Sequence, residues 1–319
     1  MGIGSLDALL QAPFVSHHKH IVQKQIPLYP QRHTSASVVL LLGESMRYDA
    51  YIAKKLAVQG FFYKKILSGA TNTDVALPLL LNRKNNPMDL SIDDERNLFR
   101  LAKKNNYRTH FVSIQTEKAL QYIKPYLQSE HIDHYRTYSK KERLMQYDML
   151  LLDTLKQIDF SKKQFVVMQQ IGQHAPYQYY KGVKADNIPE NYRRSVDASF
   201  MLYSKIDALL KRHAAKYLFI YVSDHGEFIG EEGRYGHNVF EPMVYEVPMF
   251  ITANVILPKG YEAVASHYHL SQLLTYLLGY GNVLSLSHQD HIVNGTMLSR
   301  EDGFVRLPYE DDNTSRASR

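Results

Sequence analysis

Cysteine and tryptophan are both absent from the 319-residue chain. Without cysteine there are no disulfides, no thiolate metal ligands and no thiol nucleophile, and redox chemistry gives no clue to the compartment. Long hydrophobic runs are missing too. The main ones, Val38–Leu42, Val75–Leu81 and Tyr217–Val222, fall far short of the roughly 20 apolar residues that span a bilayer. No signal-peptide pattern stands at the N-terminus, so the chain as given is expected to be a soluble piece whose membrane part, if it has one, lies elsewhere. No run of lysine and arginine exceeds two residues, which argues against a nucleic-acid-binding tail.

What is present is a core-forming composition, with 45% hydrophobic and 22% charged residues, enough for a large packed interior and too much for global disorder. The net charge of +6 favours anionic partners such as a membrane surface or a phosphorylated lipid. Residues 1–36 show no sustained periodicity and read as a lead-in. His17, His18 and His20 within it are expected to be solvated and not metal-bound. From Ser37 onward strands and helices alternate. Continuous apolar or aromatic runs mark buried strands at Ser37–Leu42 and Tyr217–Val222, and further strands are expected at Arg108–Ile114, Phe165–Met168 and Val247–Thr252. Helices are expected from about Thr73 to Leu81, then over Ser91–Asn105, Lys141–Ile158, Asn191–His213 and Leu270–Leu278. Such alternation predicts an α/β fold with a mainly parallel sheet covered on both faces, in a single domain over residues 37–319.

Chemistry collects where these strands stop. The run Tyr217–Val222 ends in Ser223-Asp224-His225-Gly226, a carboxylate beside an imidazole, and the glycine-rich segment behind it can return His237. Strand Ser37–Leu42 ends in Gly43-Glu44-Ser45, and Phe165–Met168 leads to His174. The polar segment Ser68–Asp74 presents Thr71 and Thr73 at a helix start, where either hydroxyl can be an ordinary cap or can face an anion. In an open α/β sheet, ligands bind at the C-terminal ends of parallel strands. Two carboxylates, an imidazole and a hydroxyl make a four-coordinate Zn²⁺ shell, in which the hydroxyl becomes an activated nucleophile. The remaining histidines, His174 and His237, suit a phosphoryl group or a leaving oxygen.

The segment SDHGEFIGEEGRYGH closely resembles the SDHGESLGENGxYLH signature of bacterial phosphoethanolamine transferases. Those membrane enzymes modify lipid A, lipopolysaccharide core and related glycans, and belong to the alkaline phosphatase/sulfatase superfamily. Other blocks follow in the same order. Gly43-Glu44-Ser45-Met46-Arg47 is similar to GE[ST]xR, Thr71–Pro78 to TxTAxSxP, Ile171–Pro176 to xGxHGP, Tyr192–Asp197 loosely to a helix-start block, and Val247-Pro248-Met249 to a VPM strand. The resemblance covers roughly Ser37 to Leu278.

The resemblance implies a three-layer α/β/α sandwich with zinc held by Glu44, Thr73, Asp224 and His225. Thr73, five residues before Pro78, would be the nucleophile, His174 and His237 would contact the phosphoryl group, and Lys118 would lie near the donor head group. It further implies phosphatidylethanolamine as donor, lipopolysaccharide or another surface glycan as acceptor, a membrane surface but no nucleic acid as partner, a monomer, and an inner-membrane protein whose catalytic domain faces the periplasm. A phosphoglycerol transferase or phosphodiester hydrolase of the same superfamily, or a non-catalytic head-group-binding domain, is the alternative. A sulfatase is disfavoured, since neither cysteine nor a Ser-x-Pro-x-Arg motif occurs. The chain departs from the family pattern in having no paired cysteines, in Ala175 where glycine is usual, and in a short spacing between Glu44 and Thr73. The tail Ser315–Arg319 is expected to be solvated.

Overall fold

The strand Ser37–Gly43 is buried at every position and lies near the middle of the molecule. Because side chains alternate along a strand, Val38, Leu40 and Leu42 enter one hydrophobic core and Val39 and Leu41 enter a second on the opposite face. A strand with both faces covered has to be apolar throughout, which is why no alternation appears in its sequence. The computed structural model describes residues 28–32, 34–54, 60–177 and 187–309. His17, His18 and His20, most of the lead-in, and the tail from 310 onward lie outside these residues.

A seven-stranded sheet organises the chain, in the spatial order Phe61–Phe62, Met249–Ala253, Tyr217–Ser223, Ser37–Gly43, Gln164–Gln169, Arg108–Ser113 and His134–Arg136. The last five run parallel, while Met249–Ala253 joins Tyr217–Ser223 antiparallel. Helices Thr73–Leu81, Leu98–Lys104 and His267–Leu277 contribute to one core. Helices Met149–Leu155 and Ile188–His213 contribute to the other. This is the α/β/α sandwich with a mostly parallel sheet that the alternation predicts. Among the described residues no helix is long and apolar enough to cross a membrane.

Several elements differ from expectation. The helix expected over Ser91–Asn105 begins only at Leu98, because the Asn97 side chain accepts from the amides of Phe99 and Arg100 and caps it there. The helix expected over Lys141–Ile158 is two, Lys140–Gln146 and Met149–Leu155, separated where Tyr147 takes a positive φ of 47°. Asp148, at that break, turns its carboxylate onto the amides of Ile171 and Gly172 at 2.8 and 3.0 Å, fixing the loop that carries His174. Val247–Thr252 is interrupted at Pro248, which has no amide to donate to a ladder; Glu246–Val247 instead pairs with Ile66–Leu67.

Candidate active site

Two parallel neighbours set the register of the site. Gly43 pairs with Ser223, so the next residues, Glu44 and Asp224, leave the C-terminal edge side by side. The turn after Ser223 is tight: the Gly226 amide reaches the Val244 carbonyl at 2.7 Å, and a β-carbon on Gly226 would overlap the Met243 carbonyl oxygen. Asp224 Oδ1 accepts from the amides of Ser45 at 3.0 Å and His225 at 2.7 Å, leaving Oδ2 to face outward. Ser223 Oγ takes the Met46 amide at 2.8 Å. The Tyr192 hydroxyl accepts from the Arg47 amide and donates to the Ser45 carbonyl, both at 2.8 Å. These bonds hold the Glu44 loop from two sides.

Thr73 comes from the other direction, as the first residue of helix Thr73–Leu81. Neither threonine caps that helix. Asn72 does, its side chain accepting from the Asp74 amide at 2.8 Å. Thr73 Oγ1 is thereby left to the site, 2.5 Å from Asp224 Oδ2, 3.1 Å from His225 Nε2 and 3.3 Å from Glu44 Oε2. His225 Nε2 lies 3.5 Å from Glu44 Oε1 and 3.4 Å from Asp224 Oδ2. Thr71 is fully buried behind this group, its hydroxyl without a hydrogen-bond partner among the described residues.

Glu44, Asp224 and His225 form a candidate metal-coordinating triad, with one ligand atom from each lying within 4.8 Å of the others. Four donors on a tetrahedron with bonds of 2.0–2.2 Å stand about 3.4 Å apart, and most of the separations above are close to that. His225 Nδ1 donates to the Gly226 carbonyl at 2.9 Å, so the Nε2 lone pair faces the carboxylates as a metal ligand requires. The electrostatics also call for a cation. Glu44 is held well above the usual carboxylate range by burial and then by Asp224, and Asp224 is raised by burial. Asp74 is pushed up to about 6 by burial and Asp224.

The other sequence candidates are placed around this group. The His237 ring lies tilted against His225 with centroids 4.1 Å apart, and its Nδ1 donates to the Thr71 carbonyl at 2.9 Å. Burial pushes it down to about 4, so it is neutral. His174 is exposed at the rim, and Lys118 also reaches the site. Both line, with His237, Thr73 and Glu44, a cavity of about 360 Å³ in front of the threonine hydroxyl. Residues without a local sequence signal complete it. Gln115 donates to Glu44 Oε2 at 3.2 Å. His267, fully buried, bonds the Ser223 carbonyl at 2.9 Å and accepts from the Gly69 amide at 3.2 Å. Only the fold brings these to the strand ends.

Glu227 lies inside the SDHGE segment, and its spacing carries no signal of a role. It is buried, with one carboxyl oxygen lacking a hydrogen-bond partner among the described residues. Burial and then Asp224 push it up to about 8 from 4.5. A carboxyl raised in this way stabilises the fold while protonated, and loses that contribution as pH rises through about 8. His225, His237 and His267, pushed down to about 4 chiefly by burial, act oppositely. Their contribution is lost as pH falls toward 4 and is fully present above about 6.5. Metal-free protein should therefore lose stability between about pH 6.5 and 8, and Glu227→Gln should remove about 1–2 kcal/mol of that loss, measured by denaturant unfolding in chelator. An undiminished loss in the variant would assign the effect to other groups.

The chain is similar to known proteins in sequence and in fold. The family described as Sulfatase matches residues 36–283. A phosphoethanolamine transferase, EptA of Helicobacter pylori, is 22% identical over 289 residues, covering 78% of this chain and 54% of the relative. The chain thus spans about half the length of that curated relative. The C-terminal periplasmic domain of EptC from Escherichia coli superposes with a TM-score of 0.71 at 15% identity, covering 90% of this chain and 98% of that one. The same domain in complex with zinc gives 0.70 at 17% identity with the same coverage.

Proposed function

Because the chain belongs to the sulfatase family, we propose that residues 37–319 are the catalytic domain of a zinc-dependent phosphoethanolamine transferase, with residues 1–36 as its lead-in. The observation that carries this reading is the threonine hydroxyl set among Glu44, Asp224 and His225 at the mouth of an open cavity. Glu44, Thr73, Asp224 and His225 would hold one zinc ion, which when bound supplies the Lewis-acid charge that makes a hydroxyl nucleophilic at neutral pH. A mixed nitrogen and oxygen donor set suits zinc better than magnesium or calcium, which take oxygen shells.

Thr73 Oγ1 attacks the phosphorus of phosphatidylethanolamine. The bond to the diacylglycerol oxygen breaks, that oxygen takes the threonine's proton, and phosphoethanolamine stays on Thr73. An acceptor hydroxyl or phosphate on lipopolysaccharide or another surface glycan then takes the group, returning a proton to Thr73. Burial keeps His237 neutral, and Asp224 pulls the other way. A phosphoryl group beside it favours a proton on Nε2 that can be donated to a phosphoryl oxygen. His174 and Lys118, which line the same cavity, hold the remaining phosphoryl oxygens of the head group. The positive net charge favours approach to an anionic membrane surface, and the periplasmic EptC domain it superposes on supports a place on the periplasmic face of the inner membrane.

Mass spectrometry of glycolipids from cells with and without the full-length protein tests this. Phosphoethanolamine on lipid A or core sugars should appear only with the protein. Phosphoglycerol in its place, or no difference, would overturn the reading.

A further inference from the structure

The cavity in front of Thr73 is lined by two carboxylate residues, Glu44 and Asp74. Glu44 belongs to the metal-binding group, which leaves Asp74 as the carboxylate with no task there. It follows the nucleophile directly, and its amide bond to Asn72 Oδ1 at 2.8 Å fixes its backbone at the helix start. Its side chain is half-buried and makes no ion pair or hydrogen bond with the described residues; in particular no ion pair joins it to Lys118 across the cavity. An acid in the first turn of a helix is favoured by the dipole, but that needs only an exposed carboxylate, not one turned into a cavity beside the reacting hydroxyl. The TxTAxSxP pattern that this segment resembles has alanine where Asp74 stands.

We propose that Asp74 is a specificity residue that receives the ammonium of the transferred head group. This rests on the phosphoethanolamine reading above. The geometry suits a zwitterion. The phosphoryl group lies toward Thr73, His174, His237 and Lys118, and a two-carbon chain keeps the ammonium within about 5 Å of phosphorus, on the nucleophile's own helix turn. A charge-assisted contact there rewards ammonium and gives nothing to an uncharged tail. A glycerol head group would leave the carboxylate without a counter-charge.

The test is calorimetric binding of O-phosphoethanolamine, ethyl phosphate and glycerol 3-phosphate to the zinc-loaded chain, which needs no turnover. Ethyl phosphate shares the phosphoryl end and lacks the charge. Wild type should bind phosphoethanolamine about tenfold more tightly than ethyl phosphate, in line with a charge-assisted bond in a partly solvated site. Asp74→Asn should bring the ratio to within about threefold, and Asp74→Glu, which keeps the charge, should restore most of it. The ratio cancels any change that the lost charge makes to phosphate binding in general. A tenfold preference that persists in Asp74→Asn would overturn the inference and leave the reading intact. A wild type that binds all three ligands equally would overturn both.

Discussion

Thr73→Ala should reduce turnover of a soluble phosphoethanolamine ester by at least about 10³-fold, as expected when a covalent nucleophile is removed from an otherwise intact site. Thr71→Ala should leave most of it. The contrast follows from where helix Thr73–Leu81 begins. With Asn72 as cap, Thr73 turns its hydroxyl to Asp224 at 2.5 Å and His225 at 3.1 Å, and Thr71 is packed behind with its hydroxyl bonded to none of the described residues. What Thr71 gives the site is its backbone carbonyl, which holds His237 at 2.9 Å and survives the substitution. Thr73→Ser should keep part of the activity, since the hydroxyl remains. Equal damage from the alanine variants at 71 and 73, read as kcat/KM, would show that the nucleophile is wrongly assigned.

The second large effect concerns the metal. Asp224→Asn should weaken zinc binding by at least about 10²-fold, because even residues that merely support a ligand cost 10–100-fold when changed. Folding should survive. The asparagine oxygen can still accept from the Ser45 and His225 amides, as Asp224 Oδ1 does at 3.0 and 2.7 Å. The substitution also removes a buried charge whose pKa is raised by desolvation and which repels Glu44. The metal-free variant should therefore unfold cooperatively, within about 1 kcal/mol of wild type near neutral pH. Retained zinc affinity together with loss of the unfolding transition would make Asp224 a structural residue.

The parallel centre of the fold was readable because strands covered on both faces are uninterrupted apolar runs, as in Val38–Leu42 and Tyr217–Val222. The residues where those runs stop were readable for the same reason: polar side chains directly after a buried strand stand at the sheet's edge. Elements set by tertiary partners were not. Phe61–Phe62 and His134–Arg136 are too short to show a period, and their strand character comes from neighbours in the sheet. The break at Tyr147 interrupts a sequence that reads as helical on both sides, and the compensation lies in the bonds of Asp148 to a distant loop. Around the site, Gln115 and His267 carry no motif and are brought in by other strands and helices. Asn72 outcompeted the threonines as cap through a geometry that side-chain type alone does not decide, since Asn and Thr are both good caps.

The central claim is that Thr73 carries the transferred group. It is tested most directly by incubating zinc-loaded protein with phosphatidylethanolamine in detergent micelles, with no acceptor present, and mapping the modified peptide by mass spectrometry. The first half-reaction needs no acceptor, so one phosphoethanolamine should appear on the peptide containing Thr73, with fragment ions placing it on that residue. The adduct should be absent from Thr73→Ala and from protein stripped of metal. An adduct on Thr71, or one that persists in Thr73→Ala, would contradict the account.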